Sequence, residues 1–216
     1  MKFCLLQFCL TMFFVIGAVS VEAQTALITS GGFVSVSGQI PGTPVSTENM
    51  NGQPIAANLR FGDVSPNGIW SRRVVMRMPI RISADCNYKV EVQRISFDNM
   101  SIQPSDIGFG IGNARPQIAG SPNLTANAAE ISILGNFAAN PIIAPVVNGS
   151  PHYQNTLANI SESPTPVFYG VPTAAGGKVG EDSNSILVDL TFVIVPQYYT
   201  PTENLNLNLI LVISAQ

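Results

Sequence analysis

Between Arg73 and Ile82 the chain alternates: Val74, Met76, Met78, Ile80 and Ile82 fall on one face, and Arg73, Arg77 and Arg81 on the other. Period two belongs to extended chain, because successive side chains of a strand point to opposite faces. The pattern recurs. Tyr88, Val90 and Val92 alternate with Lys89, Glu91 and Gln93, and Leu205, Leu207, Leu209, Leu211 and Ile213 are interleaved with Asn204, Asn206 and Asn208. Phe33 to Ile40 carries Val34, Val36 and Ile40 on one face against Ser35, Ser37 and Gln39, and Ile186 to Val195 is rich in β-branched residues. No stretch of similar strength repeats at 3.6 residues. These runs predict an all-β chain of antiparallel strands, each with one face turned to a core. Ser83 to Asn87 separates two of them by a loop short enough for a hairpin.

Composition agrees with many strands joined by turns. The chain has 18 glycines and 16 prolines, and its polarity comes mostly from Asn, Ser and Thr. Only 11% of residues are charged, against about 25% in ordinary soluble domains. A formal net charge of −3 gives no electrostatic reason to bind nucleic acid or an anionic membrane. Few charges also oppose self-association, which suits a subunit that hides surface against its copies.

Lys2 followed by the uncharged apolar run Phe3 to Val19, with Val21-Glu22-Ala23 beyond it, reads as a signal peptide over residues 1–23. An uncleaved anchor is the alternative. No later stretch is long and apolar enough to be expected to span a bilayer as a helix. Residues 24–216 are then expected to form a single domain, exported through a periplasm to the cell surface or medium. A domain of that size buries roughly 70% of its unfolded surface. Cys86 is the one cysteine beyond the signal. It cannot close a loop alone, so it is expected to be a free thiol, either buried and inert or pairing between chains.

Residues 113–184 are less regular. Short apolar runs at Ile131–Leu134, Ile142–Val147 and Val167–Tyr169 sit among Gly, Pro, Asn and Ser. They predict short strands and long loops, with an exposed loop over Thr173–Asn184. Ala126 to Ile133 fits either a turn or two of helix or a strand.

Few residues carry a pattern that points to chemistry. His152, in Ser150-Pro151-His152-Tyr153, is the only histidine and reads as a solvated loop residue. One His and one Cys make no zinc set. Gly108-Phe109-Gly110-Ile111-Gly112 has part of a dinucleotide fingerprint, but Arg115-Pro116 follows where a phosphate-binding helix would be needed. Asp98 with Asp106, or Glu181 with Asp182, could be brought together as a hydrolytic pair, but solvated loop carboxylates are the simpler reading. Glu181, Asp182 and Asn184 could offer oxygens to calcium, at a spacing unlike an EF-hand loop. The Arg73, Arg77, Arg81 stripe could meet an anionic glycan, or could be a solvent face with Glu91 available across the expected hairpin. Sequons begin at Asn99, Asn123, Asn148 and Asn159. Neither catalytic residues nor a cofactor or metal site is expected.

Three motifs in order carry a family resemblance. Phe33-Val34-Ser35-Val36-Ser37-Gly38-Gln39-Ile40-Pro41 precedes Leu59-Arg60-Phe61-Gly62-Asp63-Val64-Ser65-Pro66, and Ala84-Asp85-Cys86-Asn87-Tyr88-Lys89-Val90 follows. With Phe168-Tyr169-Gly170-Val171-Pro172 near the last strands, this order resembles secreted proteins of the spore coat protein U family, relatives of archaic chaperone–usher pilins. The likeness leaves residues 113–166 unaccounted for, and Thr43-Pro44-Val45 stands where the family commonly has a cysteine.

The resemblance implies an immunoglobulin-like antiparallel β-sandwich with long loops that lacks one strand. It implies export with a periplasmic chaperone and usher, and a homo-oligomer or fibre formed when one subunit's N-terminal strand completes the next. Residues 24–40 are the candidate donor segment, with Val34, Val36, Gly38 and Ile40 as the face entering a groove. The expected function is that of a non-enzymatic structural subunit of a bacterial surface fibre or coat. The alternative is a secreted carbohydrate-binding or adhesin module with a self-contained sandwich, using Trp70, Tyr153, Tyr198 or Tyr199 as an aromatic platform for a glycan. If the C-terminal strand filled the missing position in cis, strand donation would fail.

Overall fold

The fold is taken from a computed structural model, which describes residues 26–30, 35–37, 47–50, 54–64, 74–95, 102–135, 137–138, 141–147, 150–174, 178–194 and 203–216. Within these residues the chain is mostly strand, in antiparallel ladders. The strands are β1 (Ala26–Ser30), β2 (Ser35–Ser37), β3 (Thr47–Met50), β4 (Pro54–Val64), β5 (Val74–Ala84), β6 (Tyr88–Arg94) and β7 (Ile107–Pro116). After helix α1 (Pro122–Ala129) come β8 (Ser132–Ile133), β9 (Ile142–Val147), β10 (Ser150–Tyr153), β11 (Thr165–Gly170), β12 (Ile186–Ile194) and β13 (Glu203–Ala215). One sheet runs β3-β1-β5-β12-β7, with β2 also on β5; a second runs β4-β13-β6-β11-β8; β9 and β10 pair with each other.

The alternating runs supply the core as expected. Met76, Met78, Ile80 and Ile82 of β5 and the even residues Ile186 to Ile194 of β12 meet Tyr88, Val90 and Val92 of β6 and Leu207, Leu209, Leu211 and Ile213 of β13 in one buried cluster. The first two strands belong to one sheet and the last two to the other, so both sheets contribute to one cluster.

The expected hairpin between β5 and β6 does not form. β5 pairs with β1, β2 and β12, whereas β6 pairs with β11 and β13. The short link is an arch that carries the chain from one sheet to the other. An arch sets the two apolar faces opposite one another across the core; a hairpin would have laid them side by side. Cys86 sits in that arch and is 3% exposed, between exposed Asp85 and Asn87. Glu91 correspondingly finds its partner on its own strand, Lys89, at 3.0 Å.

Residues 113–166 hold both structures that fitted Ala126–Ile133. The helix α1 starts at Ser121, whose Oγ accepts from the Leu124 N–H at 3.4 Å, with Pro122 in the first turn where its missing N–H costs nothing. It buries Leu124 and Ala128, four residues apart and therefore on one face. Its last turn gives way to β8. The loop expected over Thr173–Asn184 is exposed at Lys178 and at Glu181 to Ser183 but anchored at its start: Thr173 and Ala174 are buried, and both backbone N–H groups donate to the Ala84 carbonyl at 2.7 and 2.8 Å.

Candidate functional site: the sheet edges closed by the N-terminal strands

Each sheet is finished on one side by strands from residues 26–64. On β5, one edge is occupied by β12 along Val74–Ile82. The other edge takes β1, from Ala26 opposite Ala84 to Ser30 opposite Ile80, and then β2, from Ser35 opposite Arg77 to Ser37 opposite Val75. On β13, one edge is occupied by β6, and the other takes β4 through ten paired positions, from Pro54 opposite Val212 to Val64 opposite Glu203. β1 approaches β13 and β3 approaches β4, so both closures lie on the same side of the core.

The β4–β13 ladder contains one irregularity, and it falls in the Phe-Gly motif. Gly62 is opposite Leu205 and Arg60 opposite Asn206, which leaves Phe61 as an extra residue on β4. Such a bulge reverses the parity of a strand beyond it. Ile55, Ala57 and Leu59 are in register with the buried Leu211, Leu209 and Leu207, and the bulge keeps Gly62 in register with Leu205 of the same row. Without the extra residue Gly62 would stand opposite Asn204.

Of the residues expected on a donated strand, Val36 lies on β2 opposite Met76, beside this chain's own β5. Val34, Gly38 and Ile40 lie outside the described residues. So does the segment 1–23 expected as a signal peptide. β13 is an interior strand, between β4 and β6, and is not the closing edge of its sheet.

The thiol of Cys86 is buried and free of any disulfide. Burial raises its pKa, and the neighbouring Asp85 raises it further by its charge and by a hydrogen bond. A thiol kept protonated in this way is a poor nucleophile. Two residues on, Tyr88 is fully buried, and burial pushes its phenol far above the ordinary tyrosine range. Its hydroxyl has no hydrogen-bond partner among the described residues. Tyr88 is in register with Gly170 on β11, and a Cβ at Gly170 would run into the phenol ring. The Cys-Asn-Tyr and Tyr-Gly motifs, about eighty residues apart, are thus two halves of one contact.

The remaining candidates are largely engaged in holding the fold. Gly108 to Gly112 lies on β7, not in a phosphate loop, and Gly108 leaves room for the ring of Tyr153 and for Pro141. His152 belongs to β10, opposite Ile143, rather than to a loop. Asp106 accepts from the Gln103 N–H at 2.8 Å at the start of a short 3₁₀ turn. Arg81 is bound to Asp182 and reaches the Gly180 carbonyl, so one member of the arginine stripe is committed; Arg77 is exposed. Asn184 donates through its side chain to the Lys178 carbonyl at 3.0 Å. The guanidinium on Asp182 already supplies positive charge where calcium was considered.

Asn123 is exposed on α1, whereas the Asn159 side chain accepts from the Thr156 N–H at 3.1 Å. Arg73, Asp98, Asn99, Asn148, Trp70, Tyr198 and Tyr199 lie outside the described residues or have no described side chain. Among the described residues no group of three His, Cys, Asp or Glu side chains is placed to hold a metal.

One polar cluster had no signal in the sequence. Asp189, in the middle of β12 and nearly buried, takes a hydrogen bond from the Asn113 amide at 2.7 Å and an ion pair from Arg115 at 3.0 Å. A bulge in β7 puts Gly112 opposite Asp189 but Arg115 opposite Leu187, and Asn113 takes a left-handed conformation with φ of 54°. Asn tolerates that conformation better than most residues. The bulge brings both donors onto one carboxylate, which satisfies a buried charge.

No family model, curated protein or solved structure matches this chain.

Proposed function

We propose that the chain is a non-enzymatic structural subunit of a bacterial surface fibre or coat. It is read as an immunoglobulin-like sandwich, exported and assembled by strand donation between copies. The observation that carries this reading is the closure of both sheets on one side by residues 26–64. In an immunoglobulin-like sandwich one sheet runs A-B-E-D and the other G-F-C. Here β1-β5-β12-β7 corresponds to the first and β4-β13-β6 to the second. The position of the last strand is taken by a strand from near the beginning of the chain, which is the position left open in a sandwich that lacks one strand.

Low charge supports the same reading, since a subunit packed among its copies gains little from a highly charged surface. The order of the Phe-Gly, Cys-Tyr and Tyr-Gly motifs supports it through the resemblance to spore coat U proteins and pilins, whose assembly uses a periplasmic chaperone and usher. The test is the exported protein itself, purified and followed by size exclusion and negative-stain microscopy as its concentration rises. Linear oligomers that lengthen with concentration are expected. A protein that stays monomeric throughout would overturn the fibre reading and favour a self-contained binding module.

A further inference from the structure

We infer that the outer face of the β5-β12-β7 sheet, around Asp189, is a binding site for an anionic saccharide. This goes beyond the fibre reading and does not depend on it. The face is built from outward positions of three adjacent strands. Arg77, Pro79 and Arg81 of β5 stand opposite Thr191, Asp189 and Leu187 of β12, and Gly112 and Arg115 of β7 complete the rows at Asp189 and Leu187. Arg77 is exposed, while Pro79, Leu187 and Thr191 are half-buried. At about 3.3 Å per residue and 4.8 Å between strands, the patch measures roughly 13 Å by 10 Å, the footprint of a short oligosaccharide and small for a protein partner.

Three features of the face select this class of ligand. The first is charge. Arg81 is bound to Asp182 and Arg115 to Asp189, but Arg77 has no ion-pair partner among the described residues. An uncompensated guanidinium thus stands on a chain whose formal net charge is −3, and its paired N–H groups suit a carboxylate or a sulfate. The second is a set of donors and acceptors held in place beforehand. The Arg115 bonds to the Asn113 carbonyl, at 2.7 Å, and to Asp189, at 3.0 Å, both leave from Nη1, and the side chain is 38% exposed, so Nη2 and Nε remain for a ligand. Asn113 is exposed and gives an amide hydrogen to Asp189 at 2.7 Å, which leaves its side-chain oxygen to accept from a sugar hydroxyl. The nearly buried Asp189 carboxylate fixes both through the β7 bulge and the left-handed Asn113, local irregularities of the kind that re-aim side chains at binding sites. The third is the floor. Pro79 and Leu187 lie between the arginines and offer apolar surface to the C–H face of a sugar ring, from which a bare inorganic anion gains nothing.

The test titrates the exported chain calorimetrically with two acidic probes, tetragalacturonate for carboxylates and a heparin tetrasaccharide for sulfates, and with cellotetraose as the neutral control. The expected result is that an acidic probe binds, cellotetraose does not, and affinity falls as salt is raised. Arg77→Ala should weaken binding about tenfold, as the loss of one charge-assisted pair does. Asn113→Gly keeps the left-handed backbone and removes the amide, and should weaken binding severalfold. Both variants should unfold thermally close to the parent. Lys89→Ala removes a cation from the outer face of the other sheet and should leave binding unchanged. Failure of both acidic probes to bind, binding indifferent to Arg77→Ala, or an equal loss from Lys89→Ala would overturn the site. Each of these outcomes leaves the fibre reading standing, because assembly with concentration is followed without any glycan. Should Asn113→Gly misfold, Arg77→Ala still decides, since it alters only an exposed side chain.

Discussion

The two sides of the core are closed in opposite ways. On the β7 side, the edge is covered by chain that follows it within about fifty residues. The Phe109 N–H donates to Asn155 and the Ile111 N–H to Phe137, and the Phe137 ring meets Phe109 edge-on at 5.6 Å. On the β13 side, the edge is closed by β4, which precedes it by about 140 residues and reaches it as one long ladder with a single bulge at Phe61. Short bonds scattered through an insertion give a local seal, whereas a ladder made by a distant segment must first close a long loop. The contrast separates an edge blunted by nearby chain from one whose closure depends on a remote segment.

The sharpest way to break this contrast is to remove the N-terminal closure and, separately, a part of the insertion that does not bond to β7. Deleting residues 26–64 should bare the β5 and β13 edges together, and the shortened chain should appear only in the aggregated fraction. Replacing 142–152 with a short Gly/Ser linker removes most of the β9–β10 pair but leaves the bonds from Asn155 and Phe137 to β7 in place. That variant should remain soluble, with its far-ultraviolet circular dichroism still β-rich. Comparable solubility of the two deletions would show that the N-terminal strands are not the closure the core depends on.

A second comparison sets two glycines against each other, each making room for a tyrosine ring. Gly170 admits the ring of fully buried Tyr88, and Gly108 that of half-buried Tyr153. At Gly170 a methyl group has no space until Tyr88 moves, and the core around that ring is filled. Gly170→Ala should therefore cost about 1–3 kcal/mol, as overpacking does. At Gly108 the contact is with the edge of a ring that is only half-buried, and the gain of up to about 1 kcal/mol from a stiffer unfolded chain offsets part of the strain. Gly108→Ala should fall within about 1 kcal/mol of the parent by urea unfolding. Equal losses at both sites would mean that Tyr153 is as firmly held as Tyr88.

What could be read before folding was which residues face inward. β5, β6 and β13 follow their alternation almost to the residue, because one buried face forces period two on the sequence. Which strand lies beside which could not be read, since an inward face is equally satisfied by a hairpin and by an arch; hence the misassigned turn at Asp85-Cys86-Asn87. β4 carries the same period in Ile55, Ala57, Leu59 and Phe61, but the bulge that leaves Phe61 as the extra residue and sets Gly62 opposite Leu205 has no local pattern. The motifs around Cys86-Asn87-Tyr88 and Tyr169-Gly170 stood out singly, but their contact needs the fold. The Arg81–Asp182 and Arg115–Asp189 pairs, 101 and 74 residues apart, carry no local pattern at all.

The smallest expected effect bears on the Tyr88 end of the Gly170 contact. The Tyr88 hydroxyl is buried without a partner among the described residues, and such a group costs about 1–3 kcal/mol relative to one left in water. Tyr88→Phe removes the oxygen and keeps the ring over Gly170, so it should stabilise the protein by about 1 kcal/mol at neutral pH, once the small gap it leaves is allowed for. The same substitution should change the response to alkali. Burial raises the Tyr88 pKa in the folded state, whereas in the unfolded chain the phenol titrates near its ordinary value of about 10. Below that value the phenol is neutral in both states and favours neither. Above it the unfolded chain releases the proton while the folded one retains it, so stability falls as pH rises toward the folded pKa. In urea titrations at rising pH the parent should lose stability above about pH 10, and Tyr88→Phe should show a shallower loss. Parallel curves for the two proteins would place the alkaline sensitivity elsewhere in the molecule.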